Sequence, residues 1–132
     1  MGTDVHMIVE RRFGEKWIGV WASDYLPEGA EDKLTKRHYM LFNALAAVRG
    51  DMDGPGAKGL PDDVSDLART IITDQGYHSA TWWSLADTQT IYNKPEIAYV
   101  GETRQYAFAD FVDLVWSEED AEPFRVIFAF DS

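Results

Sequence analysis

The chain contains no cysteine, which removes disulfides, thiolate metal sites and thiol nucleophiles and leaves His, Asp, Glu and hydroxyl groups for covalent or metal chemistry. No apolar run approaches the ~18 residues that a membrane-spanning helix needs, and no basic-then-apolar leader opens the sequence. A cytoplasmic protein without a membrane partner is the expectation. Positive charge is scarce too: twelve Lys and Arg stand against twenty-three Asp and Glu, a formal charge of −11. Such a chain repels a phosphate backbone at long range, so direct nucleic-acid binding is not expected, although a local positive site remains open. The Gly-x-Ser-x-Gly elbow, the His-Glu-x-x-His zinc signature and the P-loop order are all missing from the sequence.

What is present is a core. With 132 residues, 45% of them hydrophobic and 14% aromatic, the chain has enough apolar surface to order itself as one globular domain over residues 1–132. From Asp4 to Glu10 the sequence alternates. Val5, Met7 and Val9 fall on one side and Asp4, His6, Ile8 and Glu10 on the other, as in a half-buried strand. A second strand, Trp17 to Trp21, follows turn residues around Gly14 and reads as the return arm of a hairpin. If Trp17 and Trp21 both point outward, the apolar patch favours a homo-oligomer. The Pro/Gly/acidic stretch SDYLPEGAEDK is loop-like.

Thr35 caps an expected helix to about Arg49, with Leu41, Phe42, Leu45 and Val48 in a stripe. The glycine-rich DMDGPGAKG follows, and its lone Lys58 carries no weight as a nucleotide motif. Pro61 with Asp62 or Asp63 opens a helix carrying Val64, Leu67, Ala68, Ile71 and Ile72, which Gly76 closes. Ser84, with Asp87 three residues later, marks another short helix after the aromatic segment YHSATWWS. An edge strand at IAYV and a further helical pattern at Phe108, Phe111, Val112, Val115 and Trp116 come next. The closing FRVIFAF is apolar on both faces and reads as a strand buried on both sides. The assembly expected is an α+β fold: a small, mostly antiparallel sheet that includes the N- and C-terminal strands, packed with about three to four helices.

Five blocks, GTDVHMIVE, RHYMLFNALAAVRG, GLPDDVS, HSATWWSL and FRVIFAFDS, lie in this order along nearly the whole chain. Together they resemble a family of small bacteriophage and prophage proteins. Members open with Met-Gly-Cys-Asp-Ile-His, carry an Arg-x-Tyr-x-Leu-Phe helix, a Gly-Leu-Pro-x-Asp segment and a His-Ser-x-(Ser/Thr)-Trp segment, and end on a Phe-Asp strand. Thr3 stands where that pattern has cysteine. The resemblance implies a phage-type intracellular origin and a set of positions to watch; it implies no mechanism.

Chemistry concentrates at a few positions. Asp4 and His6 share a strand face, about 7 Å apart at Cα, a spacing that suits a shared metal or a base with its orienting carboxylate. If the terminal strand lies beside the first one, Asp131 joins them, and Asp4, His6 and Asp131 make a candidate set for a divalent metal. His78 and Ser79 occupy a turn after a helix end, where binding groups are often carried. Arg37 and Tyr39 open the first long helix and suit a phosphate or carboxylate clamp. Trp82 and Trp83 offer π faces for a flat group.

Two functions compete for this constellation. One is capture of a small anionic ligand of nucleotide type between Arg37, Tyr39, His78, Ser79 and Trp82, in a phage context suited to interference with host signalling or defence. The other is a hydrolase in which Asp4, His6, His78 and Asp131 bind a divalent ion or act as acid and base. In a third reading the −11 charge imitates nucleic acid to occupy a host protein, but the acids are scattered through loops, which suits solubility better. The first two readings assume that His6 and His78 meet around one cavity.

Overall fold

The computed structural model describes residues 5–25, 56–92, 94, 99–100, 103–104 and 123–131. Four strands, β1 (Val5–Phe13), β2 (Lys16–Ala22), β3 (His78–Ser84) and β6 (Phe124–Phe130), form one antiparallel sheet in the order β2-β1-β6-β3. Both ends of the chain therefore contribute to its centre, as the sequence pattern suggested. The two described α-helices are α1 (Asp66–Gln75) and α2 (Leu85–Tyr92). The helices expected at 35–49 and 108–116 lie outside the described residues. Among the described residues, no helix is long and apolar enough to cross a membrane.

The register from Val5 opposite Phe130 to Arg11 opposite Phe124 is uninterrupted, and all seven residues of β6 are buried. β1 departs from the half-buried expectation, because Val5, Met7, Ile8, Val9 and Glu10 are all buried. The cause is its place in the sheet: with β2 and β6 on its two sides, β1 is an interior strand with helical cover on the face that carries Ile8. That face packs Ile8, Ile127 and Ala129 against Val64, Ala68, Ile71 and Ile72 of α1 and the segment before it. The hairpin between β1 and β2 turns at Gly14, which takes a φ of 65° that suits glycine. Trp17 does not simply face outward, since its ring lies 4.1 Å from the Arg125 guanidinium. Tyr99–Val100 (β4) pairs with Thr103–Arg104 (β5) as a separate two-stranded unit instead of extending the main sheet.

The helix expected from Pro61 begins later, at Asp66, because Ser65 is its cap. Ser65 holds an extended φ,ψ and its hydroxyl accepts from Ala68 N at 3.2 Å. Upstream, Glu10 accepts the Ser65 N–H at 2.6 Å and Asp63 is committed to Arg125, so residues 63–65 are drawn to the sheet before the helix starts. Gly76 ends α1 with φ 69°, and Tyr77 N donates to Ile72 O at 3.1 Å, the pattern of a Schellman closure. Ser84 caps α2 through Asp87 N at 3.1 Å, as its spacing indicated.

Gly19 sits where α1 crosses β2. A Cβ there would lie 2.6 Å from Leu67 Cδ2 and 2.7 Å from Leu67 Cβ. Because the second contact is to the base of a helical side chain, rotation alone cannot relieve it. Gly19→Ala is expected to cost about 1–3 kcal/mol through overpacking, and Leu67→Ala in the same chain should recover part of that loss. Urea unfolding of the two variants checks it; a Gly19→Ala protein as stable as the parent would contradict this packing.

Candidate functional site

Two polar clusters flank the sheet, and His6 centres the first. On β1 it faces three partners from three other segments. Asp131, just past β6, places Oδ2 2.6 Å from His6 Nε2. Asp24, in the 3-10 turn Ser23–Tyr25 that follows β2, places Oδ1 3.4 Å from Nδ1. Tyr77, delivered by the Gly76 closure, stacks on the imidazole with ring centroids 4.0 Å apart and planes at 10°, and its hydroxyl donates to Asp24 Oδ2 at 2.7 Å.

The electrostatics follow from that geometry. Burial of the ring works against its charge, but the hydrogen bonds to Asp24 and Asp131 outweigh it and raise the His6 pKa above 6.5. Burial pushes Asp24 upward, and the bonds from His6 and Tyr77 carry it below its ordinary 3.8 instead. Tyr77 is held protonated, first by burial and then by its bond to Asp24. His6 is thus favoured as an imidazolium between two carboxylates, with both nitrogens engaged. A base needs one nitrogen free, and a metal would have to displace one of these partners.

The second cluster lies on β3, one of the two outer strands of the sheet. The segment 56–60 runs along it: Gly59 N donates to Ala80 O at 2.8 Å, Lys58 N to Thr81 Oγ1 at 3.2 Å, and Lys58 Nζ to Trp82 O at 2.9 Å. The Lys58 ammonium lies 3.7 Å from the Trp83 ring centroid and 4.7 Å from that of Trp82. This lysine closes a strand edge that would otherwise invite pairing, and it also sets a cation on two indoles. At the start of the strand, exposed His78 places Nδ1 2.8 Å from Ser79 Oγ. Ser79 has φ 56° and sits where the register with β6 shifts between His78 and Thr81.

His6 and His78 do not share a cavity. His6 is opposite Ala129 and His78 opposite Phe130, so β6 separates them and the register assigns them to alternate faces. Asp131 does meet His6, because the terminal strand lies beside the first one. Asp4, Arg37 and Tyr39 lie outside the described residues. Trp82 is half-buried beside Lys58, and Ser79 is joined to His78. Among the described residues, no group of three or more His, Asp and Glu side chains could hold a metal ion.

Sequence reasoning missed Asp24, Tyr77, Lys58 and the pair Glu10 and Arg125. Glu10 is fully buried, accepting from Arg125 Nε at 2.5 Å, while Arg125 Nη1 reaches Asp63 Oδ1 at 2.9 Å. Half of that pair was detectable: the terminal strand reads as buried on both sides, so Arg125 within it requires an opposite charge, whereas the half-buried pattern of the first strand did not point to Glu10. Beside it lies a groove of about 340 Å³, lined by Glu15, Lys16, Trp17 and residues Asp63 to Asp66. None of the candidate catalytic, ligand-binding or metal residues named from the sequence lines it. Compared with family models, with curated proteins and with solved structures, the chain matches none.

Proposed function

We propose that this chain is a phage-type intracellular protein that captures a small anionic ligand of nucleotide type along the outer edge of β3. The bacteriophage and prophage resemblance, a place in the cytoplasm of a bacterial host, and a complement of three to four helices belong to the same reading. The observation that carries it is the Lys58 ammonium on the Trp82 and Trp83 rings, on the strand that begins with exposed His78. A chain of charge −11 needs a local cation to hold an anion, and indole faces add stacking worth ~1–3 kcal/mol for a base. Of the three donors on the ammonium, one goes to Trp82 O, and among the described residues the others have no hydrogen-bond partner and can serve an anion. Arg37 and Tyr39 remain part of the proposal on sequence grounds.

Calorimetric titration with cyclic and linear nucleotides, together with mass spectrometry of small molecules that co-purify with the protein, tests this. Binding that weakens about tenfold or more in Lys58→Gln is expected, as for a lost hydrogen bond to a charged group. A panel without any binder at millimolar concentration, and a protein that carries nothing through purification, would refute it. The hydrolase reading draws on the 2.6 Å contact between His6 and Asp131. It predicts new products in the same incubations that vanish in His6→Ala. The engagement of both His6 nitrogens favours capture.

A further inference from the structure

Ser79 is the non-glycine residue with positive φ among the described residues, at 56°. A serine in the left-handed region is strained, and such strain gathers where a side chain must be held in an unusual direction. The irregular register of β3 against β6 falls at the same place, between His78 and Thr81, and bulges of this kind re-aim side chains near functional sites. The direction obtained puts Ser79 Oγ 2.8 Å from His78 Nδ1, on an exposed imidazole. Strain, bulge and hydrogen bond converge on one hydroxyl. Hydroxyl and base within hydrogen-bond reach are the elementary unit of nucleophilic catalysis, and this unit does not require the serine to follow a Gly-x-Ser-x-Gly elbow.

We propose that Ser79 is a nucleophile toward activated carboxylic esters, with His78 as its general base. Ser79 Oγ attacks the ester carbonyl carbon as its proton passes to His78 Nδ1. The bond from that carbon to the leaving oxygen breaks, and His78 returns the proton to the departing alkoxide. Water, deprotonated by the same nitrogen, then cleaves the acyl-serine and restores the hydroxyl. The choice of an ester bearing a negative charge rests on the ligand reading above, since Lys58 lies on the same strand edge; the reactivity of the hydroxyl does not.

The experiment separates the two. A fluorophosphonate probe, which reports an activated hydroxyl whatever anions bind, is incubated with the full chain, and the adduct is mapped by peptide mass spectrometry. One adduct per chain at Ser79 is expected, forming at least tenfold more slowly in His78→Ala and not at all in Ser79→Gly, a variant that keeps the positive φ without strain. The anion titration run in parallel shows whether the binding reading stands irrespective of labelling. An unlabelled Ser79, equal labelling of several serines, or an adduct rate indifferent to His78→Ala would overturn the assignment.

Discussion

Arg125→Met is expected to lower stability by about 3–5 kcal/mol, the range for breaking a buried ion pair by removing one partner. The Glu10 carboxylate has no exposed surface and Arg125 only 5%. Without the guanidinium, Glu10 keeps the Ser65 N–H at 2.6 Å and loses the cation that balances its charge. Arg125 also joins Asp63 through Oδ1 and the backbone oxygen and lies 4.1 Å from the Trp17 ring. The loss therefore reaches the start of α1 and the β1–β2 hairpin together. For a chain of this length the midpoint of thermal unfolding should fall on the order of 10–20 °C. The double variant Glu10→Leu, Arg125→Met should recover part of the loss, because two apolar groups of similar size leave no buried charge, while the buried Ser65 N–H loses its acceptor. Urea unfolding of the three proteins gives the comparison; a single variant that loses under about 1 kcal/mol would show that the pair is solvated.

The second large effect is in pH. The His6 pKa is raised in the folded chain, so the folded state holds this proton more tightly than the unfolded one. The stabilisation is complete below the unfolded value of 6.5 and is lost as pH rises through the folded pKa. Asp24, whose pKa is lowered, acts in the opposite sense: its contribution is present above 3.8 and is lost as pH falls through its folded pKa. Between these limits the imidazolium joins β1, the turn after β2 and the residue that follows β6. His6→Phe keeps a flat ring against Tyr77 and removes the titration. This variant should be markedly less stable than the parent at about pH 6, and the gap should narrow toward about pH 9 as the parent ring loses its proton. Thermal melts across that range check the slope. A gap that stays constant would mean that His6 does not hold its extra proton between Asp24 and Asp131.

Much of the local chemistry that acts within a few residues was legible, the Ser65 cap excepted. The stripe of Ala68, Ile71 and Ile72, the closing Gly76 and the capping Ser84 define their helices from neighbours three and four positions away, and the structure places all of them as their spacing indicates. The seven apolar-rich residues of β6 could be read as a strand buried on both sides for the same reason. Pairing of the two terminal strands was legible as well, and with it the approach of Asp131 to His6.

Tertiary structure alone decided the remainder, because it depends on which distant segments arrive at the same place. Glu10 looked like the exposed end of a half-buried strand until β6 brought Arg125 opposite it and α1 brought Ser65 above it. That meeting also moved the start of α1 from Pro61 to Ser65. His6 and His78 looked like partners, yet strand order sent one toward Asp24 and Tyr77 and left the other beside Ser79. Lys58 carried no motif, and its position over two indoles comes from a loop laid along an open strand edge. Periodicity reports which face a residue takes; the contents of the opposing face are set by long-range packing, and the charges meet there.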